Sequence, residues 1–367
     1  MKAPEKSSNK ATQFMRVIDF ILMEWLVILS AVGLLLTSVY TRNFPTYSIQ
    51  EIQVLFILFV LFIAVKGLQR SGLILKIAQG IEKGKTVPLK LVLTTFVLSM
   101  LVTNDIALIV IVPLTLSLNI NRKGILVILE ALAANAGSAL TPFGNPQNLF
   151  IYWFYNIHPA TFIETIAPFS LVFLFILVVS SLLVKTTNGS QNIVNQKINK
   201  TAIVYGVLLF SLLLAILHVL PVQIGILVII FALLFDRGAL RVDYALLFSF
   251  FFFFGLAENM RLIVATEIAH SGHIFLFSAL ASQVMSNVPA TLLFAKFTTH
   301  WESLLWGVNA GGFGSLFGSL ANLIAYKLYV THEDTSDPAT FTAKFLIIGY
   351  AAFFLSIALY FFLYQPQ

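Results

Sequence analysis

The chain has 367 residues, 59% of them hydrophobic and only 10% charged, with a mean hydropathy of +0.92. That composition excludes an ordinary soluble domain, and the apolar runs are long enough to cross a bilayer. The net charge of +6 is read as basic loops on the cytoplasmic side rather than a nucleic-acid surface, and the absence of cysteine excludes a disulfide, a thiolate metal site and a thiol nucleophile.

Residues 1–16 form a polar, basic tail expected in the cytoplasm. The run Val17–Tyr40 is too long for a signal-peptide core and lacks a clear small-residue cleavage site, so it is expected to be an uncleaved first span. A second span is expected from about Glu51 to Lys66, then an amphipathic surface piece over Arg70–Lys85. Gly84-Lys85-Thr86 has the look of a P-loop ending, but Gln79 occupies the position that needs glycine and no strand precedes it; nucleotide binding is excluded. Two short apolar arms follow, Val87–Met100 and Ile106–Leu118, joined by Thr103-Asn104-Asp105. Lys90 and Arg122-Lys123 flank them with like charge, which favours a re-entrant hairpin over 87–118. A broken helix is expected over 124–155 and a span over Ile166–Val184, which completes a first repeat, 17–184.

A polar linker, 185–200, leads to a second repeat, 201–364, built to the same plan. Spans are expected at about Ala202–Leu220, Gln223–Phe235 and Tyr244–Gly255, and a surface piece at Glu258–His270. A second hairpin, 273–297, turns at Ser286-Asn287-Val288-Pro289; a second broken helix covers 302–329, and Phe341–Tyr364 is the last span.

The evidence for duplication lies in the broken helices. Asn135–Tyr152 reads NAGSALTPFGNPQNLFIY, and 174 residues later Asn309–Tyr326 reads NAGGFGSLFGSLANLIAY. Eight of the eighteen positions are identical without a gap, among them Asn135/Asn309, Gly144/Gly318 and Asn148/Asn322; Thr141/Ser315 and Asn145/Ser319 keep their chemistry. Glycine and asparagine are not favoured by a Leu/Phe-rich composition, so the match marks a repeated unit. Gly137, Gly144 and Pro146 break a helix, and Pro146 steers Asn145 out of the α region. Backbone groups freed at membrane depth must meet protein, water or a solute, and paired broken helices in two halves point to the binding site of a secondary transporter.

The Lys/Arg distribution places the N-terminus and the 70–90, 122–123, 185–200 and 237–241 segments in the cytoplasm. The two repeats are then inverted and the C-terminus lies outside. The expected fold is an all-α polytopic protein of the plasma (inner) membrane, with about nine transmembrane helices, two re-entrant hairpins and two broken helices.

The candidate solute- and ion-binding residues are the hairpin tips, Thr103, Asn104 and Asp105 with Ser286 and Asn287, and the breaks, Thr141, Gly144, Asn145 and Asn148 with Ser315, Gly318, Ser319 and Asn322. An amide offers an acceptor and two donors, so the Asn residues could replace a solute's hydration; they could equally tie hairpin to broken helix. Half-helix N-termini favour anions and C-termini cations, so either sign of solute could be served. Asp105 is expensive near the midplane unless functional. A coupled H⁺, or Na⁺ near Asn104, Asp105 and Asn148, would offset its charge; the alternative is a tip that reaches cytoplasmic water. Glu130 suits an interhelical hydrogen bond as well as a proton relay, while Lys296 and Lys327, near helix ends, are expected to snorkel. The six histidines show no metal spacing, and no cofactor is expected.

The order of Asn-tipped hairpin, broken helix, and both again resembles the ion transporter superfamily, which includes arsenite permeases, NhaD-type antiporters, citrate-transporter-like proteins and divalent-anion:sodium symporters. TNDIALIVIVPLTL, GSALTPFGNPQNLF, SNVPATLLF and GGFGSLFGSLANLI are similar to its four signature segments. The resemblance implies a scaffold that forms a homodimer, a mobile part carrying hairpins and broken helices, a mid-membrane site and elevator-like alternating access. In the dicarboxylate carriers both tips read Ser-Asn-Thr; here Asp105 and Val288 stand in the third position, and the Asn-Asp tip is more similar to the arsenite and NhaD side.

The combined reading is an ion-coupled secondary transporter of a small inorganic ion or weak acid, driven by H⁺ or Na⁺, with the lipid bilayer as its surroundings and no nucleic-acid partner. Na⁺/H⁺ antiport and arsenite-type efflux are alternatives within the class, and an anion channel is the alternative outside it. No Ser/His, Cys/His or metal constellation suggests an enzyme.

Overall fold

A computed structural model of the chain describes residues 25–79, 86–118, 120–184, 198–263, 271–332 and 337–364. The basic tail and nearly all of the 185–200 linker lie outside these residues. The described residues contain helices and no strand. The first half comprises α1 (Trp25–Thr41), α2 (Ile49–Arg70), α3 (Leu73–Gln79), α4 (Val87–Val102), α5 (Asn104–Ser117), α6 (Lys123–Ala139), α7 (Pro146–Phe154) and α8 (Pro159–Leu183). The second comprises α9 (Thr201–Ile216), α10 (Gly225–Phe235), α11 (Tyr244–Ile263), α12 (Ser271–Met285), α13 (Asn287–Ala295), α14 (Trp301–Gly311), α15 (Leu320–Val330) and α16 (Pro338–Leu363).

Local chemistry explains where these helices begin. Ser48 and Glu51 form a reciprocal capping box at the start of α2. At α7, α8 and α16 a polar N-cap, Asn145, His158 or Asp337, stands before a proline at the first helical position, where the missing N–H costs nothing. The expected hairpins are α4–α5 and α12–α13, and the expected broken helices are α6–α7 and α14–α15.

Four described stretches are long and apolar enough to cross a membrane: Ile49–Arg70, Pro159–Leu183, Arg237–Ile263 and Pro338–Leu363. Others expected as spans are shorter. Helix α9 stops at Ile216 rather than Leu220, because His218 turns left-handed (φ 61°) and Pro221 follows, and α10 has only 11 residues. The surface piece expected from Glu258 does not separate there: α11 continues through Glu258 to Ile263, with the Arg261–Glu258 pair one turn apart on it, and residues 264–270 lie outside the described set.

The helices pack as two groups. Helices α1, α2, α9, α10 and α11 contact one another; α4–α8 pack with one another and meet α12–α16. The groups touch chiefly where α2 meets α7 and where α11 meets α13. The broken helices lie at the centre of the second group, with Leu126–Ala139 and Ser303–Gly311 wholly buried. Large apolar side chains such as Phe175 on α8, Phe210 on α9 and Phe362 on α16 are exposed, as lipid contact requires.

Candidate functional site

The two hairpin tips share an unusual backbone. Thr103 has φ 86°, ψ 150° and Ser286 has φ 75°, ψ 155°, a region that side chains other than glycine rarely occupy and that costs about 1–3 kcal/mol per residue. Each tip is held by the neighbouring break. The Asn104 N–H donates to the Gly144 carbonyl at 3.1 Å and the Asn287 N–H to the Gly318 carbonyl at 3.0 Å. The Thr141 hydroxyl donates to the Met100 carbonyl and the Ser315 hydroxyl to the Gln283 carbonyl, both at 2.8 Å.

Glycine is required at the breaks for space: a Cβ on Gly144 would stand 2.3 Å from the Ser138 carbonyl oxygen, and one on Gly318 2.5 Å from that of Gly311. Gly144→Ala is therefore expected to lower stability by about 1–3 kcal/mol through overpacking, read as a lower unfolding temperature in detergent.

The break amides are spent on protein. The Asn148 Nδ2 donates to the Ala139 carbonyl at 2.9 Å, with the Ser138 and Thr141 carbonyls at 3.4 Å. The Asn322 Nδ2 donates to the Gly312 and Ser315 carbonyls at 2.9 and 3.0 Å. Their oxygens cross the repeats: Asn148 Oδ1 accepts from Asn309, and Asn322 Oδ1 from Asn135, both at 2.8 Å. Asn145 caps Asn148 N–H through its oxygen and donates to the Ser138 hydroxyl, and Ser319 Oγ caps the Ala321 N–H. Asn104 donates to Asn135 at 3.2 Å while its oxygen accepts the Asp105 N–H.

Of the expected residues, Asn104, Asp105, Ser286, Asn287 and Ser319 line a cavity of 1060 Å³. Thr103, Thr141, Gly144, Asn145, Asn148, Ser315, Gly318 and Asn322 form the frame behind it instead. Asn135 and Asn309 were missed as site residues, although each opens one copy of the repeat. Gln147, Gln283 and Asp243 also line the cavity and carried no such signal. Gln283 clamps the second break, donating to the Gly311 and Phe313 carbonyls and accepting the Ser315 N–H.

The cavity has a definite electrostatic sense. The first residues of α5, α7, α13 and α15 all line it, through Asn104, Pro146, Asn287 and Leu320. The carbonyl ends of α6 and α14 are covered by Asn148, Asn322 and Gln283. Four positive helix ends thus face the cavity against the carbonyl-end turns of α12 (Gln283, Val284) and α15 (Val330, Thr331), an excess that favours an anion. Asp105 and Asp243 oppose this, and Lys327 lies at the rim.

The other charged candidates resolve differently. Glu130 is fully buried away from the cavity; its Oε1 accepts from the Thr115 hydroxyl across α5–α6, the interhelical bond of the packing alternative, and its Oε2 has no hydrogen-bond partner among the described residues. Lys327 is exposed, in keeping with a helix-end lysine. Lys296 does not snorkel. Its side chain is only 10% exposed and its ammonium lies 2.7 Å from the buried Glu51 and 3.1 Å from the part-buried Glu258, because the two carboxylates solvate it better than the membrane edge.

An all-helical membrane protein whose hairpin tips and helix breaks converge on one cavity belongs to the class of transporters. A profile of the citrate transporter family matches residues 17–306. The chain is 37% identical over 279 residues to an uncharacterised transporter of Methanocaldococcus jannaschii, covering 73% of this chain and 76% of the other. It is 33% identical over 288 residues to the inner membrane protein YbiR of Escherichia coli, covering 72% and 77%. The chain belongs to the citrate transporter family, within the ion transporter superfamily, and is a secondary transporter.

Proposed function

We propose that the chain is an ion-coupled carrier of a small anion, an inorganic oxyanion or the anion of a weak acid, with H⁺ or Na⁺ as the coupling cation held at Asp105. The observation that carries this reading is the meeting of four helix N-termini on one cavity that holds a single hairpin-tip carboxylate. The helix ends attract the anion, and the cation offsets Asp105 as the anion arrives. A second reading, favoured by the family match, is that the anion is a citrate-like polycarboxylate; the volume of 1060 Å³ leaves room for one. Flux into liposomes containing the purified protein, with imposed H⁺ and Na⁺ gradients, tests both. Anion uptake that follows either gradient supports the carrier. Flux that ignores both gradients indicates a channel, and exchange of Na⁺ for H⁺ without an anion indicates an antiporter.

The carrier is proposed to work as an elevator: the group α4–α8 with α12–α16 moves against α1, α2 and α9–α11, which form a homodimeric scaffold in the plasma (inner) membrane. The repeats are inverted in this scheme, with the N-terminus in the cytoplasm and the C-terminus outside. Single cysteines are clean reporters because the chain has none of its own. Arg122→Cys and His300→Cys are expected to label with an impermeant reagent from opposite sides, and labelling from one side would remove the inversion.

A further inference from the structure

The cavity is open at one end of α11 and the protein is fastened at the other. Asp243, just before α11, lines the cavity, while Glu258 on the same helix holds Lys296. At about 1.5 Å per residue the two lie roughly 22 Å apart along the axis. Lys296 ends α13 in the hairpin-bearing group, whereas Glu51 and Glu258 belong to α2 and α11 of the other group. The lysine turn is rigid within its own group, since the Tyr155 hydroxyl on the α7 side lies 2.9 Å from both the Ala295 and Thr298 carbonyls as a shared donor. The two carboxylates are fixed as well: Glu51 Oε2 accepts from the Ser48 N–H and hydroxyl, and Glu258 accepts from Arg261.

Nearby contacts between the groups are apolar, such as Phe150 against Phe254 at 5.2 Å between ring centres. Apolar contacts are non-directional and can be remade after sliding. A largely buried ammonium between the buried Glu51 and the part-buried Glu258 cannot slide by a fraction, because each charge must stay paired or leave for water.

We propose that Lys296, with Glu51 and Glu258, is a latch that holds the hairpin group against the α2–α11 frame in the state described here, so that its opening is a step of the transport cycle. The latch rests on the carrier reading for its purpose, but not for its detection. Removing the lysine leaves two carboxylates facing each other, which penalises the closed arrangement and shifts the population toward the displaced one.

The test is a distance measurement by pulsed electron resonance between spin labels on Phe44→Cys in the frame and Thr161→Cys in the hairpin group, both otherwise exposed, in reconstituted full-length protein. Lys296→Met and Glu258→Gln are each expected to raise the displaced population about ten-fold over the unsubstituted background. Lys296→Arg, which keeps a cation between the two carboxylates, is expected to leave that population near the background. Unchanged distributions in Lys296→Met and Glu258→Gln, with the protein folded by gel filtration, overturn the latch. A shift in Lys296→Arg as large as that in Lys296→Met overturns it too, since the lysine would then act by packing alone. The measurement needs no solute; if the parent protein carries no anion in liposomes, the carrier reading fails while the distance result still decides the latch.

Discussion

Asn148→Ala is expected to destabilise the protein by about 3 kcal/mol or more and to leave little folded carrier to assay. The estimate follows from what the amide holds at a fully buried position: the Ala139 carbonyl directly, the Ser138 and Thr141 carbonyls at longer range, and the Asn309 amide through its oxygen. Each buried group left without a partner costs about 1–3 kcal/mol, and no water is available at this depth to replace the amide. Asn287→Ala gives the contrast. Its side chain lines the cavity and its oxygen accepts a long bond of 3.3 Å from the Ser286 hydroxyl. It should keep the unfolding temperature close to that of the parent and weaken solute binding by about 1 kcal/mol or more. Thermal unfolding in detergent, with and without solute, reads both. Equal stability of Asn148→Ala and the parent protein would show that the break does not depend on this amide.

Asp105→Asn is expected to abolish gradient-driven accumulation while sparing exchange of solute across the membrane. Asp105 has no acidic counterpart in the second half, where Val288 stands, so the two half-sites match in frame and differ in charge. The substitution keeps size and removes the carboxylate proposed to take up and release the coupling cation. With four helix N-termini on the cavity and the carboxylate gone, the anion itself should bind no more weakly than before. Uptake against a gradient, compared with counterflow of labelled solute in the same liposomes, separates the two effects. Uphill accumulation at the parent rate would remove Asp105 from the coupling and turn attention to Glu130, a buried acid of the hairpin group with one oxygen unpartnered among the described residues.

Much of this protein was legible in its chain. Composition alone required a membrane protein, because 10% charge cannot solvate so much apolar surface. The repeated NAG, FG and N-L elements located both breaks to within a few residues, since Gly144-Asn145-Pro146 in one copy and the glycines at 311, 312, 314 and 318 in the other disfavour a continuous helix wherever the tertiary structure puts them. The hairpin tips were legible from the shortness of the apolar arms and, for the first, from the like charges that flank it. What the sequence could not assign was the use of each polar group. Four asparagines, at 104, 148, 287 and 322, looked alike as solute ligands; only folding shows that Asn148 and Asn322 turn inward to cap carbonyl ends while Asn104 and Asn287 reach the cavity. A hydrogen bond between Asn135 and Asn322 joins residues 187 positions apart, and no periodicity encodes such a partner. The same holds for Lys296: a lysine at a helix end snorkels by default, and it stays buried here because α2 and α11 bring Glu51 and Glu258 to it. Local backbone chemistry fixes where a helix must stop; which charge or amide meets which is a long-range outcome of packing, and it is decided only when the two halves close on each other.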